Sequence, residues 1–346
     1  MKKLLVVGSN SIHVYNYIHL VENEFDEILL LSNAKAATLN CKVQVLNFSL
    51  KNPLLALKTI FQIRKITRVF RPNVIHIHQA NAFALLSLYA TRKLNIPRVL
   101  TAWGSDILRL PKINQFFRLM VTYNVRNADA LTADSIDVAE EIKKLTNDPS
   151  KKILIANYGI QLEIKKLPKE NIIYSNRLHK KLYRIETIIN AFHKFIQGKD
   201  RGQWRLIIAA TGEETEVLKK HVDLLQLNSY IEFTGWIDKL ENANYYGRSR
   251  IFISIPETDA TSISLLEAMA SGCFPVLSDI PANRQWINHA QNGYIVSDLN
   301  TNFFEEVLTM DFAAAEVLNN AIVQAEGTKE ANREKFLSLY KQLWGL

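Results

Sequence analysis

The feature that most constrains the fold is a series of short, mostly apolar runs separated by helical segments. Lys3–Gly8 (KLLVVG) and Glu27–Leu31 (EILLL) are continuous apolar runs after their first residue, which is typical of strands buried on both faces of a parallel sheet. Val74–His78 (VIHIH), after the break at Pro72, is a further strand. Between such runs, Leu54–Phe70 and Ala80–Leu94 repeat apolar residues at three- and four-residue steps, which indicates helices. The alternation predicts a doubly wound α/β fold.

The alternation restarts after a polar segment near residues 161–170, which contains Pro168. Asn171–Tyr174 is the first apolar run of the second series, and a chain of 346 residues has room for two domains. We therefore predict an N-terminal domain over residues 1–163, a C-terminal domain over residues 164–325, and a helical tail over residues 326–346 that packs back towards the first domain.

Positive charge is concentrated in the first half of the chain. The net charge is +8, and residues 51–126 contain 13 Lys/Arg and one acid, Asp106. Such a field attracts membrane lipid, nucleic acid or phosphorylated substrates; no nucleic-acid-binding motif is present, so we predict no nucleic-acid partner. Leu108–Val121 (LRLPKINQFFRLMV) mixes cationic and apolar side chains. It can dock on an anionic membrane surface or pack its apolar face inside the domain.

The sequence favours a cytoplasmic protein, with a peripheral position on the inner face of the cell membrane as a further possibility. No apolar run approaches the ~20 residues that a membrane span needs. The two cysteines, Cys41 and Cys273, lie far apart and lack metal-ligand spacing, so we predict that both are reduced and buried.

Residues 256–279 (PETDATSISLLEAMASGCFPVLSD) carry the clearest chemical pattern. A polar turn leads directly into a helix, for which Thr261 and Ser262 are suitable N-caps. The exposed N–H groups and the dipole at such a helix start can bind a diphosphate. Glu267, further along the helix, can accept hydrogen bonds from a ribose diol. The alternative interpretation is an ordinary capped helix with a glutamate facing solvent.

This segment resembles the donor-site motif of the retaining glycosyltransferases of family 4, in which two acids eight positions apart are followed by LLEAMASG. Here the acids are Asp259 and Glu267, with aspartate in place of the usual first glutamate. The resemblance implies the GT-B fold, with two Rossmann-like domains facing a central cleft. It also implies that Asp259 contacts the transferred sugar and that Glu267 contacts the ribose, while backbone N–H groups of Thr261, Ser262 and Ile263 bind the diphosphate.

Other segments of the second domain resemble the family in order and spacing. Arg177 follows the first strand, where the family has an arginine and a lysine that neutralise the donor phosphates; we choose Lys181 as the lysine, although Lys180 and Arg184 are near. A solvated basic turn is the alternative. The resemblance also predicts nucleotide contacts at two further turns. Gly212 lies in a glycine turn under the nucleotide, and the turn after a later strand contacts the base through Gly235, Trp236 and Ile237.

The first domain resembles the family's acceptor domain more loosely. Gly8, Ser9 and Asn10 form the expected loop after the first strand, and His13 begins the following helix. His78 ends a strand, and a metal pair with His76 is not favoured because no third ligand is apparent. In the run TAWGSDIL, Trp103 replaces the family histidine. Asp106 is predicted to contact the acceptor or the sugar, or to cap a helix.

The resemblance implies transfer of a sugar, with retention of configuration, from a nucleoside diphosphate sugar to a saccharide or lipid-linked saccharide. UDP is the default nucleotide, no metal or other cofactor is required, and the pathway is polysaccharide or lipopolysaccharide assembly. The alternatives are a nucleotide-sugar epimerase of the same architecture and a non-catalytic basic binding protein.

Overall fold

The computed structural model divides into two compact units. Unit 1 comprises Met1–Tyr158 together with Lys329–Leu346, and unit 2 comprises Gly159–Thr328. The predicted boundary between residues 163 and 164 lies outside the described residues. The structure describes residues 1–35, 39–161, 167–198, 200–259 and 261–344.

Unit 1 is built on a seven-stranded sheet in which every ladder is parallel. Its strands are β1 (Lys3–Val7), β2 (Glu27–Ser32), β3 (Lys42–Val45), β4 (Val74–His78), β5 (Arg98–Ala102), β6 (Ala130–Ala133) and β7 (Ile153–Ile155). Their order in the sheet is β3-β2-β1-β4-β5-β6-β7. The predicted doubly wound α/β fold is confirmed for this unit.

Unit 2 repeats the same plan with six parallel strands. They are β8 (Glu170–Ser175), β9 (Arg205–Ala209), β10 (Ile231–Gly235), β11 (Ser249–Ser254), β12 (Phe274–Ser278) and β13 (Tyr294–Val296), in the order β10-β9-β8-β11-β12-β13. The direction of winding reverses between β8 and β11. In open parallel sheets, ligands bind beyond the carboxyl ends of the strands at such a reversal.

Helices cover both faces of each sheet. They are α1 (Ile12–Val21), α2 (Pro53–Phe70), α3 (Ala82–Thr91), α4 (Ser105–Leu108), α5 (Leu110–Ile113), α6 (Gln115–Asn127), α7 (Ile136–Thr146), α8 (Ile185–Ile196), α9 (Thr215–Leu224), α10 (Lys239–Arg248), α11 (Ile263–Ala270), α12 (Pro281–Arg284), α13 (Phe303–Val307), α14 (Phe312–Ile322) and α15 (Lys329–Trp344). No helix within the described ranges is long and apolar enough to cross a membrane.

The apolar strands explain this layering. In β1, Leu4 and Val6 pack in one buried cluster and Leu5 and Val7 in another, because successive side chains of a strand point to opposite faces. α15 completes the first cluster through side chains such as Phe336. Both faces of the sheet are therefore closed within unit 1.

The cysteine prediction holds for one residue and is wrong in part for the other. Both cysteines are free, and Cys273 is buried. Cys41 is only half-buried, because it lies just before β3, the edge strand of the sheet, which has a neighbour on one side only.

Candidate functional site

An arginine side chain is held by two hydrogen bonds beyond the carboxyl ends of β8 and β11, where the winding of the unit 2 sheet reverses. Arg177 follows β8, and its Nη2 donates to Oδ2 of Asp259, beyond β11, at 2.7 Å. Its Nη1 donates to Oγ of Ser262, also at 2.7 Å. The guanidinium lies over the ring of Tyr183, 4.4 Å from the centroid, and the side chain is only 11 % exposed. The positive charge is therefore held in one orientation at the start of α11.

The start of α11 has the features of an anion-binding helix terminus. Ser262 is the N-cap, and its Oγ accepts from the N–H of Leu265 at 3.4 Å. Thr261 precedes this cap and Ile263 opens the helix, so the three residues predicted to bind a diphosphate lie together. The unpaired N–H groups of the first turn and the helix dipole add to the charge of Arg177.

Glu267 lies on the same helix in a half-buried position. Burial raises the pKa of its carboxyl group, and a hydrogen bond from Tyr246 and the nearby charge of Lys239 oppose that rise. A carboxylate that is partly removed from water and is held by a phenol has an acceptor oxygen in a defined place. This is the property required for a contact with a ribose diol, which stays a prediction.

The other basic side chains near Arg177, among them Lys181, the predicted second cation, are more exposed than Arg177. Lys181 is exposed, at the start of a short 3₁₀ helix (Lys181–Tyr183), and has no ion pair with any described residue. Lys180 is also exposed. Arg184 is 3.7 Å through its Nε from Oε1 of Glu257. The structure brings Arg177 to the helix start and leaves the role predicted for Lys181 as a prediction.

Gly212 is required by a close approach of two backbone segments. A Cβ atom at this position would lie 2.4 Å from the carbonyl oxygen of His179, so the turns after β8 and β9 can touch only through a glycine. Gly235 has a positive φ of 73°, which favours glycine. After it, Trp236 is highly exposed and Ile237 is partly buried. Base contacts by these residues stay predictions.

The predicted acceptor loop of unit 1 follows β1. A Cβ atom on Gly8 would lie 2.7 Å from Cγ2 of Val14, so the loop turns tightly against α1. Ser9 donates through Oγ to Oε1 of Gln79 at 3.3 Å, and the N–H of Asn10 donates to Oδ1 of Asn33 at 2.9 Å. The loop is tied to the segments after β4 and β2.

Trp103 is part of an aromatic stack. Its ring centroid is 5.3 Å from that of His13 and 5.7 Å from that of His78, and its Nε1 donates to Nδ1 of His78 at 3.2 Å. Burial lowers the pKa of His78 to about 3. His78 is therefore neutral and accepts at Nδ1, while Trp103 presents a half-buried ring in the place of the family histidine.

Asp106 and His76 face inward. The carboxylate of Asp106 accepts from the N–H groups of Ala80, at 2.7 Å, and Trp103, at 3.0 Å, which joins the segments after β4 and β5. His76 bonds through Nδ1 to the Tyr340 hydroxyl and through Nε2 to Oγ1 of Thr101. Both ring nitrogens of His76 have protein partners, which is the bonding of a structural histidine. An acceptor contact by Asp106 stays a prediction.

Comparison with known families agrees with this arrangement. The family model described as "Glycosyl transferase 4-like" matches residues 2–135, and the model described as "Glycosyl transferases group 1" matches residues 160–309. The chain belongs to the GT-B glycosyltransferases of family 4. The second match contains Arg177, Asp259 and Glu267.

Named relatives of this family 4 member are distant. It is 24% identical over 247 residues to N-acetyl-alpha-D-glucosaminyl L-malate synthase of Bacillus anthracis, covering 64% of this chain and 61% of that protein. It is 24% identical over 254 residues to alpha-monoglucosyldiacylglycerol synthase of Streptococcus pneumoniae, covering 67% and 57%. The matches thus span about three fifths of each relative.

Solved structures show the same fold over the whole family 4 chain. The structure of Anabaena HepE in complex with UDP superposes with a TM-score of 0.79 at 15% identity, covering 99% of this chain and 100% of that one. Such a likeness at low identity establishes the architecture.

Sequence reasoning missed the aromatic residues that support the site. Tyr183 lies under Arg177, and Tyr246 contacts Glu267. Asn242, which accepts a hydrogen bond from Tyr174, lies four residues before Tyr246 on α10. The sequence analysis did not predict this helix. If α10 had been predicted, the four-residue spacing would have placed Asn242 and Tyr246 on one helix face.

Proposed function

We propose that this protein is an enzyme that transfers a sugar from a nucleoside diphosphate sugar, UDP by default, to an acceptor hydroxyl with retention of configuration. The observation that carries the proposal is the fixation of Arg177 at the start of α11, the helix that also bears Glu267. A cation with a helix N-terminus binds a diphosphate, and a carboxylate further along the helix binds a ribose diol. The family membership and the UDP in the HepE structure support this reading.

In the proposed reaction, the bond between the anomeric carbon and the diphosphate oxygen breaks, and a bond to the acceptor oxygen forms on the same face of the sugar. The acceptor proton passes to the departing diphosphate. Arg177, the N–H groups at residues 261–263 and, as a second cation, Lys181 stabilise the negative charge that develops on the leaving group. Because these groups supply the positive charge, the proposal requires no metal ion. Asp259 contacts the transferred sugar.

We propose a saccharide or lipid-linked saccharide acceptor, in polysaccharide or lipopolysaccharide assembly. The acceptor contacts are assigned to unit 1: to the loop of Ser9 and Asn10, to His13, and to the half-buried Trp103. A lipid-linked acceptor is supported by the relative named for a glucosyldiacylglycerol product.

The test is a screen of UDP, GDP and CMP, each with its sugars, for stabilisation against heat. A ligand at a hundredfold excess over its Kd adds about 2.7 kcal/mol to the free energy of unfolding, so one nucleotide should raise the melting temperature clearly. With that nucleotide sugar and an acceptor, release of the nucleoside diphosphate should be detectable, and EDTA should leave its rate unchanged. Binding without turnover on any acceptor would point to a non-catalytic binding protein, and no stabilisation would contradict the donor site.

We further propose that unit 1 contacts an anionic membrane surface. The segment Leu108–Val121 packs part of its apolar face inside the domain and exposes the rest: Met120 and Val121 are buried, whereas Phe116 and Leu119 are 56% and 60% exposed. The helix α2 also exposes Leu57 and Phe61 beside Lys58 and Lys65. Neither helix contains an acid. Basic helices with exposed apolar side chains bind anionic bilayers.

Replacing Phe116 and Leu119 together with serine should reduce binding to vesicles that contain an anionic lipid. The reason is that ~25 cal/mol of apolar transfer energy is lost per Å² that no longer enters the bilayer. Co-sedimentation with phosphatidylglycerol–phosphatidylcholine vesicles measures the effect. The control replaces Val217 and Leu224 of α9, which are at least as exposed. Wild-type binding that is insensitive to anionic lipid and to salt would contradict the proposal.

A further inference from the structure

The hydroxyl group of Tyr246 is buried and accepts a hydrogen bond. The residue is 2% exposed, and its oxygen accepts from Nδ2 of Asn176 at 2.7 Å. A phenol has one proton and two acceptor positions. Because Asn176 is the donor in this bond, the phenol keeps its own proton for another acceptor. Glu267, on α11, is the carboxylate beside it, and the phenol lowers the pKa of that carboxyl group.

The side-chain amide of Asn242 determines which way the amide of Asn176 is oriented. Nδ2 of Asn176 also donates to Oδ1 of Asn242, at 3.1 Å, and the same Oδ1 accepts from the hydroxyl of Tyr174 at 2.6 Å. The amide of Asn176 thus uses both of its hydrogens as donors, one of them towards Tyr246. Reversing that amide would place its oxygen against the oxygen of Asn242.

The hydroxyl of Tyr246 stays protonated and so can act as a hydrogen-bond donor. Burial, followed by the nearby charge of Glu267, raises the pKa of Tyr246 well above its ordinary value, so the hydroxyl remains a donor. Its ring meets that of Tyr174 edge to face at a centroid distance of 5.3 Å. The ring packing and the hydroxyl bond are separable, because removing the oxygen leaves the aromatic contact in place.

We infer that Tyr246 is a positioning residue, which, through a proton oriented by Asn176, holds the Glu267 carboxylate in place to bind the ribose of the donor. This inference rests on the proposed function. It assigns to α10 and β8 a part in donor binding that the contacts of α11 alone do not supply. Among the described residues, the charged or titratable groups that face Glu267 are Tyr246 and Lys239 on α10 and Tyr174 on β8.

The test compares Tyr246→Phe with Tyr245→Phe. Tyr245 is the matched control: it lies on the same helix, stacks on Tyr174 at 5.4 Å, and sends its hydroxyl to Oε1 of Glu232 at 3.3 Å instead. UDP and GDP affinities are measured by calorimetry from pH 5 to pH 9, with melting temperatures to verify folding. Tyr246→Phe should weaken binding of the better nucleotide roughly tenfold at pH 8, the lower range for a hydrogen bond to a charged group.

The pH profile separates positioning from general loosening of the fold. Without the phenol the carboxyl group loses a bond that favours its ionised form, so the acid-side midpoint of nucleotide binding should move to higher pH. In Tyr245→Phe both affinity and midpoint should match wild type. A Tyr246→Phe protein with a wild-type midpoint would overturn the inference.

Failure of the proposed function would look different. If wild type bound neither nucleotide, the donor role would be overturned for Glu267 and Tyr246 together. The hydrogen bond would still be open to measurement, since carbon-13 titration of the Glu267 carboxyl, assigned with Glu267→Gln, reports its midpoint without any ligand. A higher midpoint in Tyr246→Phe supports the proton chain, and an unchanged one overturns it.

Discussion

Replacing Arg177 with alanine should lower the rate of sugar transfer by about 10²- to 10³-fold, the usual loss when one preorganised charge-stabilising group is removed. Arg177 is the cation that the structure fixes at the start of α11, through Ser262 and Asp259. The loss should appear mainly in kcat if the guanidinium acts on the charge that develops as the diphosphate leaves. Release of the nucleoside diphosphate measures the rate.

Two variants control this experiment. Arg177→Lys keeps the charge but cannot bond Ser262 and Asp259 with one planar group, so it should recover only part of the rate. Arg205→Ala removes an arginine that also lies over a tyrosine, Tyr230, at 5.4 Å, but that starts β9 at the opposite end of the strand from the site. It should transfer at the wild-type rate. A folded Arg177→Ala protein with wild-type activity would disprove the assignment.

Replacing Glu267 with glutamine should weaken donor binding at least tenfold at pH 8, because a hydrogen bond to a charged acceptor contributes about 1.5–3 kcal/mol. It should also remove a pH dependence. Burial raises the pKa of the wild-type carboxyl group, so acidification protonates Glu267 at a higher pH than an ordinary glutamate. Wild-type affinity should therefore fall as the pH falls through that raised value, whereas the affinity of the variant should stay flat. Calorimetric titration with UDP or GDP measures both.

Glu267→Gln should lose donor affinity at pH 8 without losing thermal stability. A carboxyl group whose pKa is raised by folding stabilises the fold only at low pH, below its unfolded pKa, and that contribution is lost as the pH rises through the folded value. At pH 8 the ionised Glu267 therefore disfavours the fold, and Glu267→Gln should melt at an equal or higher temperature. Glu241→Gln, at an exposed position of α10, should change neither binding nor its pH dependence. A less stable Glu267→Gln protein with normal affinity would contradict the donor role.

Much of the site was readable from local sequence. Ser262 was predicted as a helix cap, and Glu267 lies five residues after it on α11. These are short-range features, since a cap and a helix face depend on residues within one or two turns. The carboxyl ends of parallel strands fall at one edge of a sheet, which is why the turn after β8, with Arg177, meets the turn after β11, with Asp259.

The partners of Glu267 were not readable in this way. Tyr246 lies on α10, a mostly polar helix whose start at Lys239 was not predicted because its apolar pattern is weak. The sequence analysis assigned no role to Asn176, which precedes Arg177. The hydrogen bond between Asn176 and Tyr246 joins residues that are 70 positions apart in the sequence. No local sequence pattern therefore indicates that these two residues lie beside Glu267.

Parallel sheets covered by helices could be predicted from the sequence, since apolar strands separated by helices bury both of their faces when helices pack on either side. The sequence also determined the capped helix that carries Glu267. The family resemblance had already indicated Arg177, but only the folded chain shows which side chains hold it at the start of that helix. Arg177 reaches Asp259 and Ser262 across 82 and 85 residues, whereas Lys181, a few residues away, faces solvent. The contacts of Arg177 form because β8 and β11, which are 70 or more residues apart in the sequence, lie side by side in the sheet. A local sequence pattern does not specify which way a single side chain points at the end of a strand.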